Sequence, residues 1–293
     1  MDLRIGGHLN LHGNFTETPL YAPSVGYTIF QVFIANPRGL NFRERDEEEF
    51  RQFSANLQVS DTMMVIHACY TINLCHPQGS ARWASSVAAT IYTLQGAVAI
   101  GTRCIGAIIH MGKNVKDLAI NDGEAMVNFV RSVDYILTRT EGTLILETGA
   151  GQGTEVGTSI EYLAYIYWSV AEDLQNRVKI CIDTCHIWAA GYDISTVAGV
   201  NGFFKFFDEQ LGIDKVACVH LNDSKNDCGS RVDRHEDLGR GRIGETGLKA
   251  VVWKCMQYQI PVITETPCGG HGYTISRGEE MALIDAWMEE RNT

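Results

Sequence analysis

The chain has no Cys-x-x-Cys pair and no long apolar run, and it is short of cations. Each absence excludes something. The nine cysteines are an odd number, scattered through apolar segments such as "KICID" and "KVACV". Reduced, buried thiols fit that pattern better than a disulfide framework or a zinc finger. The most apolar stretch, "SVAATIYTLQGAVAIG" (86–101), is broken by Thr90, Thr93 and Gln95, and is too short and polar to span a bilayer. The opening "MDLRIGGHLN" lacks the charged and apolar regions of a signal peptide, so a soluble, intracellular protein without a membrane partner is expected. With 35 acidic against 24 basic residues, the net charge of −11 argues against a protein that coats nucleic acid by charge alone. That objection weakens if carboxylates hold cations, because three divalent ions would offset six of those eleven charges in one place.

What the chain does have is alternation. Eight short β-rich apolar runs recur: 3–9, 28–34, 63–68, 105–110, 143–148, 178–184, 215–221 and 261–266. Near-continuous apolar strands suit a parallel sheet covered on both faces. Between them lie stripes at helical spacing: Trp83, Val87, Ile91, Leu94 and Val98; Met126, Phe129, Val130 and Val133; Val200, Phe203, Phe204, Phe207 and Leu211. Leu248, Val251, Val252 and Cys255 make another, and Met281, Ile284 and Met288 the last. These read as core-facing helix surfaces. Pro19 and Pro23 leave little room for a full helix in the first connection. With no linker or low-complexity tract, the pattern predicts one α/β domain over 1–293, a single (β/α)₈ TIM barrel. An open doubly wound sheet is the alternative.

The strand ends carry the chemistry. Strands 1, 3, 4, 5, 6, 7 and 8 finish at His8, His67, His110, Glu147, Asp183, His220 and Glu265. In a barrel these ends converge on the rim where active sites are built. One such residue would most simply be a satisfied core group. Six on strands 3 to 8, without matching Lys or Arg, are costly to bury together unless they bind metal. "DTCH" adds His186 one turn after Asp183, and "VDRH" adds Asp233 and His235, two apart and on one side of an extended segment. Five imidazoles and four carboxylates exceed one ion's needs and suit two or three. Their mixture favours zinc, with manganese or iron as alternatives. A multinuclear centre of this kind suits attack on a phosphate.

"CVHLNDSKNDCGSRVDRHEDLGRGRIG" (218–244) ends in a G-x-G-x-x-G at Gly239, Gly241 and Gly244. A dinucleotide fingerprint follows a strand directly and opens a helix, whereas this one follows the polar "SRVDRHEDL". The expectation is instead a loop whose backbone approaches a phosphate, with Arg240 and Arg242 beside it. "GAGQGTEVG" (149–157) is a second glycine-rich loop, equally well read as a plain strand-to-helix turn.

"HLNDSKNDCGSRVDRHEDLGRGRIG", "CIDTCHIWAAGYD", "ILETGAGQG", "HACYTINLCHP" and "ITETP" resemble the signature blocks of the endonuclease IV family, the second family of abasic-site endonucleases. The resemblance runs from "GGHLN" at residue 6 to about residue 267. It implies a barrel with three zinc ions that cleaves damaged double-stranded DNA 5′ to an abasic sugar. By that resemblance His67, His110 and Glu147 hold one ion. Glu147, Asp183, His220 and Glu265 hold the second, and His186, Asp233 and His235 the third. Glu147 and Glu265 are the carboxylates expected at the reacting phosphate. The implied chemistry is in-line hydrolysis by a metal-activated hydroxide, leaving a 3′-hydroxyl and a 5′-deoxyribose phosphate, with trimming of blocked 3′ ends. The family implies a monomer. Arg38 and Tyr70 match residues that enter the duplex at the lesion, while Thr71 departs from the bulkier apolar residue usual there. His8 is expected behind the ligands. Arg43 and Arg45 are expected to be balanced by "DEEE" (46–49), and His12, His76 and His271 to be structural or exposed. The first connection and "PCGGHGYTIS" depart from the pattern.

Two other readings compete. A metal-dependent sugar isomerase or epimerase uses Glu147, Asp183, His220 and Glu265 but leaves His186, Asp233 and His235 without work. A barrel that binds damaged DNA or metal without catalysis requires a loss that nothing in the sequence shows.

Overall fold

The alternation closes into a ring. The structure, a computed structural model, describes residues 3–11, 14–114, 121–267 and 275–292. In chain order the strands are β1 (Ile5–His8), β2 (Ile29–Val32), β3 (Met63–His67), β4 (Cys104–His110), β5 (Leu144–Glu147), β6 (Val178–Asp183) and β7 (Val216–His220). There follow β8 (Asp223–Ser224), β9 (His235–Glu236) and β10 (Val262–Thr264). The closed parallel barrel runs β1-β10-β7-β6-β5-β4-β3-β2, and β8 and β9 form a small antiparallel hairpin outside it. The eighth barrel strand is therefore β10.

Helices α1 (Thr18–Tyr21), α2 (Glu47–Val59), α3 (Ala81–Ile100), α4 (Asp122–Leu137), α5 (Ile160–Ser169), α6 (Thr184–Ala190), α7 (Val197–Gln210), α8 (Gly244–Tyr258) and α9 (Arg277–Asn292) surround it. Polar caps start most of the long ones. Ser80, Asn121, Ser159 and Thr196 each accept a hydrogen bond from the first turn of α3, α4, α5 and α7. Asp46 and Glu49 form a reciprocal capping box on α2. Pro19 and Pro23 confine the first connection to the four residues of α1 and one 3₁₀ turn, Ala22–Val25, as expected. None of the described helices is long and apolar enough to cross a membrane.

The helical stripes face the barrel with two exceptions. Val98 is 44% exposed, because fifteen residues from Trp83 at about 3.6 per turn drift well off the stripe. On α9 the deeply buried residue is Trp287 rather than Met288. Inside the barrel, Ile29, Val65, Ile108, Ile145, Cys181, Cys218 and Ile263 form a separate apolar layer. β1 contributes Gly6 there, where a Cβ would lie 1.6 Å from Ile29 O, so only glycine lets the two strands approach. The eight described cysteines are free thiols, six of them buried.

Candidate metal centre

Two residues beyond that apolar layer, period-two alternation points the next side chain of each strand inward again. These are His8, Gln31, His67, His110, Glu147, Asp183, His220 and Glu265. Register holds them level: His110 pairs with Glu147 and Asp183 with His220. Helix α6 begins directly at Asp183, whose carboxylate accepts the His186 amide at 2.8 Å, and this turn swings His186 over the rim. The β8–β9 hairpin brings Asp233 and His235 across from the other side.

Among the nine predicted imidazole and carboxylate ligands, three groups result whose donor atoms lie within 4.8 Å of one another. They are His67, His110 and Glu147; Glu147, Asp183, His220 and Glu265; and His186, Asp233 and His235. Each could hold a metal ion. Glu147 belongs to two of them: Oε2 lies 3.3 Å from His67 Nε2 and 3.4 Å from His110 Nε2, while Oε1 accepts His220 Nδ1 at 2.9 Å. Asp233 faces His186 Nε2 at 3.3 Å and His235 Nε2 at 3.2 Å.

The imidazoles are held as ligands are held. His67 Nδ1 donates to Ala68 O at 2.7 Å, His186 Nδ1 to Thr148 O at 2.8 Å and His235 Nδ1 to Glu265 O at 3.2 Å. In each case the Nε2 faces the centre. His220 is turned round, with Nε2 on Gln31 Oε1 at 2.9 Å. His110 Nε2 and His235 Nε2 are buried with no hydrogen bond, and a bound cation would satisfy both. No ion pair joins the nine groups to a lysine or arginine among the described residues. The donor set therefore fits metal.

The protonation balance follows from burial and crowding. Burial opposes charge on Glu147, but His110 and His220 beside it hold its carboxyl well below the usual carboxylate range. Burial opposes charge on His220 too, and Glu265 and Glu147 overcome it, so its pKa lies well above an ordinary imidazole's. At His110 burial dominates and lowers the pKa to about 4, which leaves the neutral imidazole that metals require.

Two neutral amides, which no titratable pattern marks in the sequence, complete the rim. Gln31, at the end of the one strand without a titratable group, donates from Nε2 to Glu265 Oε1 at 2.6 Å and contacts His8 Nδ1 at 3.0 Å. Asn222 donates to Asp183 Oδ2 at 2.7 Å and accepts the Glu265 amide at 2.8 Å. His8 stands behind Glu265, at 3.9 Å.

The G-x-G-x-x-G loop requires a correction. Its amides do not face outward to a phosphate: Gly241, Ile243 and Gly244 donate to the carboxylate of Asp223, at 2.9, 3.0 and 3.4 Å. Gly241 is required because a Cβ would lie 2.4 Å from Asp223 Oδ1. Gly244 does open α8, but the loop follows the β8–β9 hairpin and not a barrel strand. Arg240 and Arg242 stay exposed on it, Arg242 with its Nε 3.5 Å from Asp227. In the second glycine-rich loop Gln152 accepts the Asp233 amide at 3.0 Å, which ties it to the third group of donors.

Arg38 is exposed on the loop after β2. Tyr70, half exposed, stands over the centre with its ring 5.0 Å from Phe33, 5.4 Å from His67 and 5.6 Å from His110. Exposed Thr71 is drawn to Cys69, Oγ1 to Sγ 2.8 Å. Arg43 and Arg45 both meet Glu49, at 3.8 and 3.1 Å. His12 and His271 lie outside the described residues. Two cavities, of about 670 and 390 Å³, open beside Tyr70 and share His110, His186 and Asp233. Arg277 lines the smaller.

Comparison with known proteins fits this arrangement. The family model described as "Xylose isomerase-like TIM barrel" matches residues 20–290. A putative endonuclease 4 of Acanthamoeba polyphaga mimivirus is 42% identical over 99% of this chain and 95% of its own length. A probable endonuclease 4 of Campylobacter concisus is 35% identical over 89% and 92%. The crystal structure of endonuclease IV from Thermus thermophilus superimposes with a TM-score of 0.82 at 31% identity, over 98% of this chain and 99% of that one. A D-tagatose 3-epimerase-like protein shares the fold, with a TM-score of 0.71 at 14% identity. The chain belongs to the endonuclease IV family of xylose isomerase-like TIM barrels.

Proposed function

We propose that the protein hydrolyses the phosphodiester 5′ to abasic sites in damaged double-stranded DNA, leaving a 3′-hydroxyl and a 5′-deoxyribose phosphate. We infer further that the same centre trims blocked 3′ ends. The observation that carries this is the convergence of five imidazoles and four carboxylates on one rim, with no lysine or arginine paired to them among the described residues.

His67, His110 and Glu147 would hold one divalent cation, Glu147, Asp183, His220 and Glu265 a second, and His186, Asp233 and His235 a third. The imidazole–carboxylate mixture favours zinc. When bound, such ions supply an acidified water and neutralise the charge that develops on phosphate. The chain's own residues do the rest. Glu147 and Glu265 would hold those cations beside the reacting phosphate; Gln31 donates to the Glu265 carboxylate, and Asn222 accepts the Glu265 amide and donates to the Asp183 carboxylate. Tyr70 offers a ring where a missing base leaves the duplex unstacked. An abasic nucleotide has no base to unpair, so extruding it costs least, and selectivity follows. Arg38, exposed on the loop after β2, would enter the duplex with Tyr70 at the lesion, and Arg240 and Arg242, exposed on the loop before α8, would meet the DNA backbone.

The sugar epimerase reading needs one donor group and gives the His186–Asp233–His235 group no part, which favours phosphodiester chemistry. Incision of a labelled duplex carrying one tetrahydrofuran residue tests the proposal, because that analogue cannot be cut by β-elimination. A single metal-dependent cut 5′ to the lesion is expected, with none on intact duplex. Metal-loaded protein that leaves the duplex whole would sink the proposal.

A further inference from the structure

The larger cavity is lined by His110, His186 and Asp233, by Tyr70, and at another end by His76 with the cations Arg82 and Lys113. We propose that this end is a subsite for one backbone phosphate of the damaged strand, next to the reacting one. It rests on the endonuclease reading above and adds to it residues that no comparison assigns.

Several observations bear on it. His76 is only 5% exposed, yet its Nδ1 has no hydrogen-bond partner, and the residue lines the cavity. A buried imidazole nitrogen left unpaired is unfavourable unless a ligand or water completes it. Arg82 and Lys113 are exposed and form no ion pair among the described residues, whereas Arg43, Arg45, Arg51 and Arg103 each meet a carboxylate. The two loops that present this end are fastened together. Asn73 donates from Nδ2 to Lys113 O at 2.9 Å, and its Oδ1 accepts the amides of Lys113 and Cys75 at 3.0 and 3.1 Å. Gly112 makes that junction close enough, since a Cβ there would lie 2.5 Å from Cys75 Sγ. The carboxylate on this wall, Glu155, is turned to the Gly151 amide at 2.8 Å.

An imidazole, a guanidinium and an ammonium on a fixed frame suit the oxygens of a phosphate. They carry no base-edge readout, in keeping with an enzyme that reads a lesion and not a sequence. With Arg277 lining the smaller cavity, cations lie on both sides of the donor cluster, and a strand laid across it meets positive charge before and after the reacting phosphate.

The test is fluorescence anisotropy of the metal-loaded protein on the product duplex, already nicked 5′ to a tetrahydrofuran residue. Arg82→Ala and Lys113→Ala alter exposed side chains and leave the fold intact. Each is expected to raise Kd roughly tenfold and to flatten the salt dependence by about one phosphate contact. One methylphosphonate, scanned through the phosphates within about three nucleotides of the lesion, should weaken the parent at a single position and leave the double variant indifferent there. Unchanged Kd in both variants overturns the subsite. So does a loss that no single neutral linkage reproduces, which marks diffuse attraction. Protection of this end by inorganic phosphate, with no neutral linkage having any effect, assigns the site to a free anion and also overturns it. If the parent does not prefer abasic to intact duplex, the endonuclease reading falls and the subsite with it. A parent that keeps the preference while the variants match it removes the subsite alone.

Discussion

Two layers of the barrel interior lie a single strand repeat apart and could hardly differ more. The lower is Ile29, Val65, Ile108, Ile145, Cys181, Cys218 and Ile263, all fully buried and none charged. The upper is Gln31, His67, His110, Glu147, Asp183, His220 and Glu265, from the same strands two residues on. Six of those seven are titratable, and most are buried as deeply. The lower layer is held by packing, which tolerates no unpaired polar atom. The upper is tolerable only because most of its donors have a partner on one side and all share a centre on the other. The barrel thus separates what holds it together from what it does by one step of the β pleat.

That contrast can be broken deliberately. Ile145→Glu places a carboxylate in the lower layer with nothing to pair it. The expected penalty is of the order of a domain's whole margin of about 5–15 kcal/mol, read as a lost or far lower denaturant midpoint. A normal midpoint would mean that the layers are not distinct. Glu147→Gln, one step higher, removes charge from two donor groups at once. Incision of the tetrahydrofuran duplex should fall by on the order of 10³-fold while the chain stays folded; full activity would undo the shared role of Glu147. Gln31→Leu keeps the ligands and removes their orientation. A loss of about 10- to 100-fold in activity or metal affinity is expected, measured by turnover and by chelator competition. The smallest effect belongs to Cys218→Ala in the lower layer, a loss of about 1 kcal/mol seen in chemical denaturation, with metal content unchanged.

Much of this was legible in the sequence because alternation leaves a trace. Seven of the eight apolar runs contain a barrel strand, and the fourth covers all of β4 but its first residue, Cys104; comparing the ends of the runs collects the titratable donors of the upper layer. What the comparison missed has a physical reason. Gln31 and Asn222 carry no charge, so a search for titratable groups passes over them, although neutral amides are well suited to orienting carboxylates without competing for metal. The short α6 inserted after β6 has too few residues for a periodicity to show. The glycine motif misled because its sequence is silent about which way the amides point. Asp223, the carboxylate they grip, lies sixteen residues upstream of the first of those glycines, among polar residues that look alike. His76 looked inert for a similar reason: its empty nitrogen is a property of its surroundings, and only the folded cavity reveals it.

The grip of Asp223 on the loop at 239–244 has a kinetic consequence. Three amides of that loop and the Ser224 amide converge on one buried side chain, so the segment bearing Arg240 and Arg242 takes its shape as the chain folds. A partner arriving at the rim meets a surface that is already ordered, and little conformational entropy remains to be lost on contact. Association should then be limited by diffusion and orientation, and lifetime by what the arginines touch.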